Sequence, residues 1–435
     1  MVIIRVTSGG LDLFNPAVIF SLSFALLFVI RPIYELRSSS FGESFLGLPI
    51  PATMGKAVVV ASFGLLFFGV GYGMPLGKTL GQRVPPPSHI ECPTFFKGRI
   101  FVVFFISALG FASLVASHGG LAFLMSLWAG RSPEVTLALR SSSGYLYLAP
   151  LAVTGISVWI FAIGVRARRK LWIVIALILM IYSDIAVLGL GSRSYFLPQI
   201  LALAMAYYLV RNRRPSLSAL LAAVVVVFVI GITLPRVYRD TQVNENGLTS
   251  AWSTSVDVRQ SLDDFLLGPD TAMVDALAFE VDAVPERYDF TYGATFVNAL
   301  AKPVPRTLWA SKPRSADEEL NALLFSSSYE RGTGVAFSVF GEPWLNLGWV
   351  GEILVLSTLG IAARALYEFL QKNRANAAAI AVFAVCSPYA FVFMRGGIGV
   401  DYFRMAFALL PLLWVLRGVA ELRFGPSRSA GLPQP

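Results

Sequence analysis

Apolar blocks long enough to cross a hydrocarbon core about 30 Å thick recur along the chain. They predict about ten transmembrane helices, at 14–30, 57–75, 100–117, 145–165, 171–190, 195–210, 217–235, 343–363, 376–394 and 402–419. Lipid offers the backbone no hydrogen-bond partner, so these blocks are expected to be helical. The apolar run Leu121–Ala129 is too short to span and reads as an interfacial piece. The expected fold is therefore an all-α polytopic membrane protein with one large loop domain. It divides into an N-terminal transmembrane region (1–235), the large loop (236–342), a C-terminal transmembrane region (343–419) and a tail (420–435).

Lys and Arg in the short loops set the orientation. With the N-terminus inside, the inner segments hold 18 of them and the outer short loops and helix ends hold 8. That bias places both termini in the cytoplasm and the long loop outside. At this length the loop is too long for a passive connection. Within it, Met273, Val274, Leu277 and Val281 follow helical spacing after a candidate N-cap at Asp270. Its aromatic and apolar residues can form a small core.

Composition agrees. The 435 residues are 56% hydrophobic and only 14% charged, against about 25% charged for a soluble domain. The net charge of +9 could point to nucleic acid, but its distribution does not. The segment 236–342 holds 16 of the 26 acidic and 9 of the 35 basic residues, so it is acidic while the rest is basic. No basic stripe tracks a duplex. Cys92 belongs to a cytoplasmic loop and Cys386 to a span, so a mutual disulfide is not expected. His89 and His118 fall on opposite sides of the membrane, so no shared metal site is expected. No Gly-rich phosphate loop follows a strand, so an outward-facing enzyme would need an already activated substrate. The first apolar block has no cleavage pattern and reads as a retained anchor.

Polar groups inside the spans are few. Asp184 lies seven residues before Gly191, roughly 10 Å below the end of its helix. Glu352 lies eight residues after Trp344, roughly 12 Å below its own. Arg193, Arg395, Asp401 and Arg404 lie at outer helix ends. Intramembrane carboxylates normally face a protein interior or a wet cavity. Together these six suggest a polar cavity opening outward beneath the large loop. The bland alternatives are arginines that snorkel to headgroups and carboxylates that only pair neighbouring helices. The runs Arg166–Lys170 and Arg211–Arg214 read as topology signals.

The stretch Tyr292–Gly351 is the most informative. It contains Tyr292-Gly293, then Pro305-Arg306, Trp309, Lys312-Pro313, Gly332-Thr333-Gly334, Gly341-Glu342 and Asn346-Leu347-Gly348. In order and position it resembles the main loop of bacterial O-antigen polymerases, the Wzy-type oligosaccharide repeat-unit polymerases. Gly191-Ser192-Arg193-Ser194 and Arg395-Gly396-Gly397 are similar to other recurring features of that family. Leu347 stands where the family often has an aromatic residue.

The resemblance implies a glycosyltransferase of the GT-C type at the outer face of the bacterial inner membrane. Its substrates would be undecaprenyl-pyrophosphate-linked oligosaccharides, with no cofactor, nucleotide sugar or metal. Partners would be the lipid bilayer and the flippase and chain-length regulator proteins of the same pathway, and no nucleic acid. Arg stabilises a leaving pyrophosphate through planar, bidentate hydrogen bonds. Arg193, Arg306, Arg395 and Arg404 are thus the candidate phosphate contacts, and Lys312 is a further candidate substrate contact. Glu342 is the first candidate for a base or oriented acceptor and Asp401 the second. Trp309 and Trp344 offer flat faces for sugar rings, although Trp344 also fits an interfacial belt. Competing readings are a secondary transporter, an O-antigen ligase or other lipid-linked sugar transferase, and a structural partner in polysaccharide export.

Overall fold

A computed structural model of the protein describes residues 12–37, 49–87, 96–123, 144–188, 193–216, 265–268, 271–301, 308–330 and 335–417, with a few single positions between them. The expected span 217–235, the interfacial piece beyond Phe123, Asp270, Pro305, Arg306 and the tail lie outside the described residues. Among the described residues the protein is all helix, with no strand elements.

Among the described residues, six helices are long and apolar enough to cross a membrane. They are α1 (Pro16–Glu35), α2 (Met54–Gly73), α4 (Lys97–Ser117), α5 (Leu146–Arg166), α13 (Trp349–Lys372) and the pair α14 and α15 (Ala377–Cys386, Tyr389–Gly396). Three more helices pack into the same bundle: α6 (Lys170–Leu188), α7 (Arg193–Val210) and α16 (Ile398–Arg417). A short α3 (Pro75–Arg83) continues from α2 after the bend at Met74. Local chemistry sets several starts. Asn15 caps α1 by accepting from the Ala17 N–H at 2.9 Å, with Pro16 at the first helical position. Asn376 caps α14 by accepting from the Ala378 and Ala379 N–H groups.

Between α7 and α13 lie α8 (Met273–Ala283), α9 (Ala294–Leu300), α10 (Ala316–Leu324), α11 (Ser326–Glu330) and α12 (Ser338–Leu347). Ser315 and Glu318 form a reciprocal capping box at the start of α10. The periodic pattern at Met273–Val281 is indeed a helix, but its N-cap is Ala272, with no side-chain cap. Described apolar residues of the loop pack into the membrane helices. Val274, Leu277 and Val281 join one cluster with Phe20, Phe28, Val60 and Phe68 of the first two helices and with Phe340 of α12. Phe340 lies edge-on to Phe20, Phe24 and Phe28, at centroid distances of 6.4, 6.0 and 5.1 Å. A second cluster joins α5, α6, α7, α14 and α16.

The first expected span after the loop needs correcting. The apolar pattern predicts a span at 343–363, but the chain breaks at Gly348, which adopts φ 56 and ψ −132, and the long helix begins at Trp349. Residues up to Leu347 form the separate helix α12, buried from Ser338 to Asn346. Glu352 therefore lies in the first turn of α13, roughly 5 Å from its start rather than 12 Å down a span. Trp344 is correspondingly neither a belt residue nor an open sugar platform. It is 2% exposed, and its indole N–H donates to the Val284 carbonyl at 3.2 Å. The half-open aromatic at the true start of the span is Trp349.

Candidate active site at the break between two helices

Gly396-Gly397 ends α15, and α16 begins at Ile398. The first amides of a helix have no intrahelical partner and attract negative charge. Here the Gly399 N–H donates to Glu342 Oε2 at 2.7 Å. Glu342 comes from α12, so the break in one helical pair is filled by a carboxylate from the other. A Cβ at Gly399 would overlap that carboxylate, and a Cβ at Gly396 would overlap the Asp401 carboxylate. These glycines are therefore needed for close approach.

Glu342 is held from the other side as well. The Thr295 hydroxyl, in the first turn of α9, donates to Glu342 Oε1 at 3.3 Å. Thr295 Oγ1 in turn accepts from Asn346 Nδ2 at 2.6 Å. The same amide group donates to the Glu342 carbonyl at 2.6 Å. Asn346 Oδ1 accepts from the Thr291 hydroxyl at 2.8 Å and from the Gly293 N–H at 2.9 Å. The intervening turn has positive φ at Tyr292 (48) and Gly293 (90). Its Tyr292 N–H also donates to the Asn346 carbonyl at 3.0 Å. The Tyr-Gly and Asn-Leu-Gly segments, 53 residues apart at the Gly293–Asn346 bond, thus form one polar clasp that ends on Glu342.

Asp401, 1% exposed, receives Arg404 Nη1 at 2.6 Å, one turn along α16. Arg395 occupies the last turn of α15, next to Gly396. The Tyr402 hydroxyl donates to the Ala299 carbonyl, pinning α9 to α16. So Glu342, Asp401, Arg395 and Arg404 converge on the 395–404 break.

Three other candidates have contacts elsewhere, and the side chains of two lie outside the described residues. The Trp309 indole donates to Ser311 at 3.1 Å and Lys312 Nζ to the Val304 carbonyl at 3.0 Å, both within their own loop. Arg193 starts α7, but its side chain is outside the described residues, as is all of Arg306. Asp184 is buried in α6, next to the Thr154–Ser183–Gln199 cluster.

Two acids flank α12. Glu280 of α8 packs on Gly341, where a Cβ would overlap its carboxylate. Burial, reinforced by the neighbouring Glu342 charge, pushes the Glu280 carboxyl well above the ordinary carboxylate range. Glu352, fully buried, packs with Phe340 on Gly64 of α2. Sequence reasoning found Glu352 but missed Glu280, which looks like an ordinary loop acid in the sequence. In the sequence Arg31 is one of the eight cations of the outer short loops and helix ends, with nothing to mark it as a buried contact. Arg31 is 1% exposed and makes two bonds to Asp275, at 3.3 and 2.6 Å. Its Nη1 also reaches the Leu266 and Gly268 carbonyls and the Thr271 hydroxyl, at 2.7, 3.0 and 2.9 Å. It ties α1 to the start of α8. No group of three or more His, Cys, Asp or Glu suited to a metal ion occurs among the described residues.

The model of the family described as O-antigen polysaccharide polymerase Wzy matches residues 99–418, more than half of the chain. The chain belongs to that family. No curated protein and no solved structure is matched. The protein is accordingly a multi-pass membrane enzyme, a glycosyltransferase-like polymerase that acts on lipid-linked oligosaccharides in O-antigen synthesis. The matched stretch contains the whole Glu342–Asn346 clasp and the 395–404 break.

Proposed function

We propose that the protein joins undecaprenyl-pyrophosphate-linked repeat units by transferring the growing chain from its lipid pyrophosphate to the next lipid-linked unit. The acceptor hydroxyl oxygen bonds to the anomeric carbon of the growing chain. The bond from that carbon to the pyrophosphate breaks, the lipid pyrophosphate leaves, and the hydroxyl proton passes to a carboxylate. Glu342 is the proposed acceptor of that proton, with Asp401 second. The Gly399 and Thr295 donors hold the Glu342 carboxylate in place. The Asp401–Arg404 pair orients a guanidinium that can meet a phosphate. Arg395 is proposed beside it, and Arg193 and Arg306 as further phosphate contacts. Trp309 and Lys312 are proposed to meet sugars. Preorganised charge of this kind needs no metal.

The reading places 236–342 outside the bacterial inner membrane and both termini in the cytoplasm, as the Lys and Arg bias favours. The N-terminal (1–235) and C-terminal (343–419) transmembrane regions, of GT-C-like fold, would hold the site, and flippase and chain-length regulators would act beside it. The observation that carries the proposal is a buried carboxylate presented at a helix N-terminus beside a carboxylate-guanidinium pair.

The test is complementation of a strain lacking the gene, with glycan chains resolved by length. Glu342→Gln, Asp401→Asn and Arg404→Ala, present in the membrane at wild-type level, should leave single repeat units with long chains missing. Normal long chains from Glu342→Gln and Arg404→Ala would overturn the assignment of these residues.

A further inference from the structure

At the opposite end of α13 from Glu342 lies a second polar site, unrelated to the first. The helix has 24 residues, which separates its ends by roughly 35 Å. A cavity of about 800 Å³ opens there between the ends of α5, α7, α13 and α14. Phe14, Leu370 and Ile380 give it apolar walls. Arg166, Arg213, Arg214 and Arg374 line it, against one carboxylate, Asp12. Asp12 accepts from the Tyr367 hydroxyl at 2.8 Å and from the Phe14 N–H at 3.2 Å. Arg213, Arg214 and Arg374 pair with no carboxylate among the described residues.

Arginines at helix ends often serve only to cap them, and here the backbone does that work. In α7 the Asn212 N–H donates to the Leu209 carbonyl and the Arg213 N–H to the Tyr208 carbonyl, with Asn212 at φ 49. In α5 the Arg169 N–H reaches the Gly164 carbonyl, with Arg168 at φ 54. Both ends are closed Schellman turns. Arg166 Nη1 donates to the Ala375 carbonyl at 2.6 Å, just past the end of α13, while α7 is closed by its own backbone without the Arg213 guanidinium. The C-termini of α5, α7 and α13 bring about half a negative charge each and the N-terminus of α14 about half a positive one. Four guanidiniums and one carboxylate still leave the cavity with about two positive charges.

We infer that this cavity binds a ligand carrying two phosphate groups, its polar part among the arginines and any acyl portion along the apolar wall. Guanidinium forks match phosphate oxygens bidentately. Basic pockets between membrane helices are suited to such headgroups. Only the sidedness of the site, which the orientation proposed above puts at the cytoplasmic face, depends on that earlier reading.

The experiment titrates the full-length, delipidated protein in neutral detergent with cardiolipin, phosphatidylethanolamine or inorganic pyrophosphate, and reads bound ligand by native mass spectrometry. Cardiolipin should bind at least tenfold more tightly than phosphatidylethanolamine. Arg213→Gln/Arg374→Gln should reduce that preference tenfold, and Arg374→Gln alone should reduce it by a smaller factor if the double variant elutes abnormally. Arg83→Gln, at the exposed end of α3, should not change it. Stoichiometric competition by inorganic pyrophosphate would identify a soluble diphosphate as the ligand, and its failure would identify the lipid headgroup. No preference over phosphatidylethanolamine together with no pyrophosphate binding, or an equal loss in Arg83→Gln, would overturn the inference. A polymerase-dead Glu342→Gln should bind cardiolipin normally, so failure at one site does not mimic failure at the other.

Discussion

Replacing Asn346 tests the site at its centre. The side chain is fully buried and makes four hydrogen bonds, at 2.6, 2.6, 2.8 and 2.9 Å. Asn346→Ala removes all four. It leaves the Thr291 hydroxyl, Gly293 N–H, Thr295 hydroxyl and Glu342 carbonyl short of a partner in a site where water has little access. A net value of roughly 1 kcal/mol per bond gives a loss of about 3–5 kcal/mol once the small cavity is included. That is a large part of a typical total stability of about 5–15 kcal/mol. In detergent the variant should melt about 5 °C or more below wild type, on a scale of about 2–4 °C per kcal/mol for chains of about 150–250 residues and somewhat less for a longer one. Function should fall further than stability, because Thr295 loses the bond that orients it toward Glu342. Asn346→Asp separates the two effects. It keeps the acceptor for Thr291 and Gly293 but removes both donors, so folding should suffer less than chain extension. An Asn346→Ala protein that melts within about 1 °C of wild type and makes full-length chains would refute the claim that this clasp supports Glu342.

Three further perturbations address the surrounding structure. Asp275→Ala strands the buried Arg31 guanidinium and should cost about 3–5 kcal/mol, visible as lower membrane yield and melting temperature. The paired change Arg31→Met/Asp275→Leu should recover much of that loss, and a double variant no better than the single one would count against the buried-pair account. Gly399→Ala suits a helix but places a Cβ on the Glu342 carboxylate, so polymer length should collapse while α16 still forms; wild-type glycan chains would contradict the close approach. Glu280 has a raised carboxyl pKa in the fold, so its contribution is complete below its ordinary value and is lost as pH rises towards the folded one. Glu280→Gln should therefore raise the melting temperature relative to wild type by more at about pH 8 than at about pH 5, and a pH-independent difference would rule this out.

Period and apolar length made the membrane helices legible, because lipid forces backbone bonds to close within a segment. The helix Met273–Ala283 was visible for the same reason, through its 3.6-residue spacing. The two breaks differ in legibility. Gly397 falls in the gap between the expected spans 376–394 and 402–419, where Arg395, Asp401 and Arg404 interrupt the apolar run, whereas Gly348 falls inside the expected span 343–363; both glycines have positive φ, and each separates a short helix from a long one. A window that averages over Trp344–Trp349 merges two helices into one span, which is why Glu352 was placed too deep. Arg31 illustrates a second limit. An arginine at the end of an apolar run has the same sequence signature whether it snorkels to a headgroup or reaches a carboxylate 244 residues away.

Those two limits have a common physical origin, and it explains where the site is built. A long membrane helix satisfies its own backbone, so its middle has nothing to offer a polar substrate. Only a break releases amides and carbonyls at depth, and irregular backbone there must be buried in protein or line a cavity. In this protein the freed Gly399 amide is met by Glu342, which α12 brings to it across its own glycine break at Gly348. Neither break has an evident role alone. Their pairing creates a buried, hydrogen-bonded carboxylate next to Asp401 and Arg404. The glycines at 348, 396, 397 and 399 and the acids at 342 and 401 thus form one device, in which the glycines make room and the acids satisfy what the breaks expose. Adding a side chain at Gly396 or Gly399 should therefore damage polymerisation as severely as removing the acid that packs on it.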